Sequence, residues 1–177
     1  MYEGERVVLR AVETGDTEQL WRWQNDAELR PLVDDAAPVP VSRMVVESKV
    51  PEAVGPTGDV EFAVTVDERL VGRCLLHSLD LLARSAAVGI TIAEPAERGK
   101  GYGRDVLGVL LRYGFRTRNL RRLWLETLAT NTPALRCYAS AGFVEEGRLR
   151  EAAWVEGGYV DAVRMSVLRR DWLPAGS

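Results

Sequence analysis

The stretch AEPAERGKGYGRDVLGVLLRYGF, residues Ala93 to Phe115, decides the fold. Glycines alternate at Gly99, Gly101 and Gly103, with Arg98, Lys100 and Arg104 between and around them, and an amphipathic helical pattern begins at once. A helix start presents N–H groups that no carbonyl of the same helix accepts. Aligned peptide dipoles add partial positive charge there. Glycine removes the Cβ atoms that would hold a ligand away and permits positive φ. With three cations added, the pattern predicts a cradle for an anion, a pyrophosphate by preference. Two common phosphate loops fail on spacing. A Walker loop needs Ser or Thr after its lysine, whereas Lys100 is followed by Gly101, and no glycine stands five residues before Gly99. A dinucleotide fingerprint needs GxGxxG after the first strand. Here the spacing is GxGxG, in mid-chain, and position 104 is arginine.

Working outward, RSAAVGITIAE before the loop is near-continuously apolar, as a central strand should be. After the helix, RRLWLETLATN reads as a strand ending in polar residues. TPALRCYASAGF reads as a helix with Pro133 in its first turn and Gly142 at its stop. Towards the N-terminus, VEFAVTV and LVGRCLLHSLD form a hairpin pattern around DER, and RVVLRAV is a first strand. Thr14 or Asp16 caps a short helix carrying Leu20, Trp21 and Trp23, and Ser42 opens a second one. The tail gives two strands around Gly157 and Gly158. The expected fold is α/β: one domain over residues 1–177, with a mixed twisted sheet of about seven strands and about four helices.

The chain has 177 residues and a net charge of -3. That size suits one sizeable core. The acidic balance argues against nucleic acid, whose phosphates need a basic face. No apolar run approaches a membrane span. Two lone cysteines, Cys74 and Cys137, fit a reducing cytoplasm. With a single histidine, His77, neither a zinc site nor a His-based triad is expected. His77 reads as structural.

The segment RGKGYG after an apolar strand resembles the acetyl-CoA signature of the GNAT acetyltransferase superfamily, Arg/Gln-x-x-Gly-x-Gly/Ala. Arg98, Gly101 and Gly103 match it position by position. The likeness continues through LWLETLATNTPALRCYASAGF. The tail is similar to the branch holding ribosomal-protein N-terminal and polyamine acetyltransferases. The resemblance implies a splayed pair of parallel strands with the pantetheine arm of acetyl-CoA in the gap, facing main chain of Thr91, Ile92 and Ala93. It places the pyrophosphate on Arg98, Gly99, Lys100, Gly101, Tyr102, Gly103 and Arg104. Asn131, Ala134 and Tyr138 complete the expected cofactor contacts. No metal is implied. The acceptor is an amine, on a protein N-terminus or a small molecule, and the late strands could pair across a two-fold axis in a homodimer.

Acetyl transfer to an amine needs a proton taken from the incoming ammonium, donors for the developing oxyanion, and a proton for the leaving thiolate. Tyr138 stands at the family's spacing for the general acid; packing on the sheet, or positioning the sulfur, is its other reading. Glu126, on the strand lining the cleft, is the candidate base. Glu151, Asp161, Asp34 and Asp35 are rivals, and a water wire would need none of them. Trp21, Trp23, Trp154 and Tyr159 could wall the acceptor site, although core packing explains each singly. Cys137 carries no sign of a lowered thiol pKa, so no acyl-cysteine is expected. A catalytically idle acyl-CoA-binding module of the same fold is the alternative.

Overall fold

The computed structural model describes residues 1–30, 39–49 and 58–172. Eight strands form one sheet in the order β1-β2-β3-β4-β5-β6-β8-β7. They are β1 Tyr2–Glu3, β2 Val8–Arg10, β3 Val60–Val66, β4 Arg69–Asp80, β5 Ser85–Ile92, β6 Arg122–Leu128, β7 Val144–Val155 and β8 Gly158–Leu168. The strand beyond the expected seven is the two-residue β1, too short to show alternation in sequence. Four α-helices accompany the sheet among the described residues: α1 Thr17–Gln24, α2 Arg43–Lys49, α3 Tyr102–Arg112 and α4 Thr132–Ser140.

Each face of the sheet buries its own cluster. On one face, α3 presents Val106, Leu107, Leu110 and Leu111, each 0–1% exposed, to Leu123 and Leu125 of β6 and Val88 of β5. On the other face, Leu20 and Trp23 of α1, Leu29 after it, and Val46 of α2 meet Ala93. Expected elements recur with tighter ends, and the pattern that ran to about Arg118 ends in a π turn, Tyr113–Thr117.

One pairing sets up the site. β5 and β6 run parallel, but only Ser85↔Arg122, Ala86↔Leu123 and Ala87↔Trp124 pair. Beyond them β5 continues to Ile92 against β4, and β6 to Leu128 against β8. The central strands therefore part towards their carboxyl ends, which is the expected splay.

Asp16 does not cap α1 through its side chain as expected. Its carboxylate accepts from the Glu13 N–H (2.9 Å) and binds both Arg10 Nη1 and Nη2 at 2.7 Å. Burial pushes this carboxyl up, but the guanidinium and the N–H outweigh it and hold it below the usual range.

Candidate functional site

The glycine stretch lies at the carboxyl end of β5 and folds into alternating backbone hands. Gly99 has φ +75° and Gly101 φ +88°, so both glycines are demanded by conformation. Gly101 precedes α3 without any side-chain cap. From Gly99 to Arg104, none of six consecutive main-chain N–H groups meets an acceptor among the described residues. Such a nest of convergent amides binds anions.

The cations contribute less than their number suggests. Arg98 spends its fork on the end of β5: Nε donates to the Ile92 carbonyl (3.0 Å) and Nη2 to that of Ala93 (2.7 Å). Lys100 pairs with Glu97 at 2.9 Å, and Arg69 reaches the same carboxylate at 3.3 Å. The Lys100 hydrogen bond leads in holding Glu97 below the ordinary carboxylate range. Arg104 alone of the three makes no ion pair or hydrogen bond among the described residues. Arg98 and Lys100 are therefore fasteners of the loop. Sequence reasoning missed what holds Arg98, because the Ile92 and Ala93 carbonyls become its neighbours only when the chain turns back after β5, whereas Glu97 stands three residues before Lys100 and was an available signal.

The N-terminus braces the loop as well, across about a hundred residues of chain. Asp105 in the first turn of α3 accepts from the N–H groups of Glu5 (3.0 Å), Arg6 (2.7 Å) and Val7 (3.0 Å). Arg6 donates to the Lys100 carbonyl and stacks over the Tyr102 ring, 4.7 Å from its centroid. Gly103 serves packing: a Cβ there would stand 3.2 Å from Cys137 Sγ on α4.

Along β5, ladder alternation corrects the expected gap-facing residues. The Ala93 N–H donates to Val71 (3.0 Å), and Thr91 is in register with Arg73, so their pairing groups turn to β4. Ile92 faces the gap, and Ile90, which was not expected, joins it. The expectation for Thr91 and Ala93 failed because strand phase depends on the β4 register, which no residue type announces.

Asn131 caps α4, its Oδ1 accepting from the Ala134 N–H (3.2 Å). The cap fixes the helix that carries Tyr138. That ring is 7% exposed, edge-on to Phe143 at 5.9 Å, and its hydroxyl has no hydrogen bond among the described residues. Burial, then the neighbouring Cys137, pushes the phenol well above its ordinary range. Tyr138 therefore keeps its proton. Burial also raises the Cys137 thiol, against the pull of Arg104, so a thiolate is disfavoured there. Cys74 is raised by burial as well.

Glu126 lies on the face of β6 away from α3, and its carboxylate is clamped by its cross-strand partner Arg164, through Nε at 2.7 Å and through Nη2. Arg164 in turn covers the Trp124 ring at 4.9 Å. Among the rivals, the Glu151 N–H donates to the Asp161 carboxylate at 2.9 Å across a bulge, and Asp34 and Asp35 lie outside the described residues. Glu94 was missed. It stands two residues past the end of β5, and its Oε1 accepts from the Trp23 indole N–H (3.0 Å) and from Gln19. An acid just past the strand was the available signal.

Of the aromatic candidates, Trp23 is buried and lines a cleft with Leu20, Arg30, Arg73, Thr91 and Ala93. Trp21 is tied to the Val41 carbonyl at 2.8 Å. Trp154 and Tyr159 pack edge-on to each other, 59% and 67% exposed, at the tip of the β7–β8 hairpin. Among the described residues the His77 side chain hydrogen-bonds only with Ser78. Among the described residues no group of His, Cys, Asp and Glu could hold a metal, and no helix is long and apolar enough to cross a membrane.

Comparison with known proteins follows this geometry. The chain is 36% identical over 106 residues to spermidine N(1)-acetyltransferase of Vibrio cholerae serotype O1, covering 60% of this chain and 61% of that protein. It is 33% identical over 113 residues to the putative ribosomal N-acetyltransferase YdaF of Bacillus subtilis (strain 168), covering 64% and 61%. The match thus spans about three-fifths of the length of both relatives. Among solved structures, spermidine N-acetyltransferase from Vibrio cholerae in complex with CoA and spermine superposes with a TM-score of 0.85 at 29% identity, over 94% of this chain and 97% of that one. The family model described as acetyltransferase (GNAT) domain matches residues 6–144, and the chain belongs to that family.

Proposed function

We propose that the protein transfers the acetyl group of acetyl-CoA directly to a primary amine. The observation that carries this reading is the run of six N–H groups, Gly99 to Arg104, without acceptors among the described residues, at the carboxyl ends of two parted parallel strands. A diphosphate supplies the acceptors that this run needs, and the unpaired Arg104 adds charge. Main chain of Ile90 and Ile92 offers hydrogen bonds to an amide-bearing arm in the gap. Bound acetyl-CoA supplies an activated thioester carbonyl. Tyr138, held neutral by burial, donates a proton to the departing thiolate.

The incoming amine must be neutral to attack; an alkyl ammonium has a pKa near 10 and a peptide α-amine roughly 8. Glu126 is a candidate to take that proton, but Arg164 competes for it. Among the described residues Glu94 Oε2 has no partner, so we add Glu94 as a second candidate. Arg30 and Arg73 also line this cleft. Arg73 is already matched by Glu61 at 3.2 Å, so the cleft sets no preference between a peptide N-terminus, an amino acid and a polyamine. Two free thiols support a reducing cytoplasm as the compartment, and the fully exposed run of β7 from Val144 to Ala152 supports self-association.

Thiol release from acetyl-CoA with spermidine, free-N-terminus peptides and amino acids tests these assignments. Tyr138→Phe is expected to lower kcat by about 10²–10³-fold without weakening CoA binding. Gly101→Asp, which sets a carboxylate against the nest, is expected to abolish CoA binding by calorimetry. A native protein that binds acetyl-CoA yet acetylates nothing in the panel would instead be an idle acyl-CoA-binding module. The amine acetylated fastest identifies the acceptor class.

A further inference from the structure

At the end of the sheet away from the cleft, three arginines stand side by side. Arg84 precedes β5, Arg121 precedes β6 and Arg169 follows β8. The pairings Ser85↔Arg122 and Arg122↔Leu168 set them in one row across neighbouring strands. Main chain ties the row together: the Arg121 N–H donates to the Arg84 carbonyl (2.6 Å) and the Arg169 N–H to the Arg121 carbonyl (2.9 Å). Two of the side chains then converge on one atom. Asn119 Oδ1 accepts from Arg84 Nη2 at 2.7 Å and from Arg169 Nη1 at 2.8 Å.

That acceptor is a neutral amide. Among the described residues, none of the three arginines is paired with a carboxylate, and all three are exposed. The acids of adjoining turns are committed elsewhere: Asp80 accepts from the Ala83 N–H at 2.7 Å, and Asp171 lies 3.6 Å from Arg170. Like charges gathered on one acceptor repel. A guanidinium presents five donors in a planar fork, and most of those on Arg84 and Arg169 are unused. Forks of this kind match phosphate oxygens two at a time.

We propose that this row binds a phosphate-type oxyanion, clamped between Arg84 and Arg169, with Arg121 adding charge. The site is separate from the loop after β5. The row sits at the amino end of β5 and the loop at its carboxyl end, roughly 25 Å away at about 3.3 Å per residue. A free phosphate ion and a phosphate monoester offer the same chemistry to the two forks.

The test uses the full chain saturated with CoA, so that the loop is occupied. Inorganic phosphate and glycerol phosphate are titrated separately at constant ionic strength, against sodium acetate as control, and thermal shift is read. Both phosphates are expected to raise the melting temperature while acetate does not, with Arg84→Gln and Arg169→Gln removing the effect. The stronger of the two identifies the source as free or ester-borne. Arg121, which makes no side-chain hydrogen bond among the described residues, gives a variant that does not disturb the fold, and Arg121→Gln is expected to weaken binding several-fold. A shift equal to that of acetate, or one retained at full size in all three variants, overturns the proposal.

Discussion

Gly103 is a residue whose reason changed between sequence and structure. In sequence it belongs to the anion loop. In the fold its missing Cβ also lets α3 approach Cys137 of α4, the helix that carries Tyr138. An alanine in a helix is ordinarily worth about 0.5–1 kcal/mol over glycine. Here the 3.2 Å approach to Cys137 Sγ opposes that gain. Gly103→Ala is expected to be no more stable than the native protein, but to become stabilising in a Cys137→Ala background. Equilibrium unfolding of the four proteins should give a coupling of about 0.5–3 kcal/mol, and additive effects would show that the contact does not govern the position. Gly99 and Gly101 were legible because their need is local: the loop itself requires positive φ. The partners of Asp105 were not, since Glu5, Arg6 and Val7 reach it only when segments about a hundred residues apart meet.

The start of α1 behaves as an electrostatic unit with the strand before it. Asp16 is 7% exposed and joins Arg10 of β2 to the turn that opens the helix. Its native pKa lies below the reference 3.8, burial being outweighed by Arg10 and the Glu13 N–H. The stability it contributes is therefore complete above about pH 4 and is lost as pH falls through the lowered native value. Asp16→Asn should cost about 1–3 kcal/mol at neutral pH and flatten the acid limb of a melting-temperature profile between pH 2 and 6. An acid limb identical to that of the native protein would contradict the assignment. At this scale most elements could be read from periodicity, including both hairpins and the strand–loop–helix around Gly99. The phase of β5 could not, because Thr91 and Ile92 look alike until the β4 register decides which of them faces the gap. The clamp of Arg164 on Glu126 was hidden for the same reason: it depends on the pairing of β6 with β8.

Across the whole molecule, the two flanks of the splay are joined by little main chain. α3 and its loop hang on β5, α4 and its cap hang on β6, and only three residue pairs join those strands directly. A ligand that fills the gap and binds only the folded chain should raise stability by about 2.7 kcal/mol at a hundredfold excess over its Kd. Differential scanning calorimetry with acetyl-CoA measures this, and an unchanged transition at saturation would count against the gap as the cofactor site. The parted strands carry a further consequence. Most sheets leave unsatisfied hydrogen-bonding borders only at their outermost strands, where charge or a bulge can blunt them. This one keeps such a border at its centre, where neither defence fits without closing the slot, so a ligand filling the slot would double as a plug against stray strand addition.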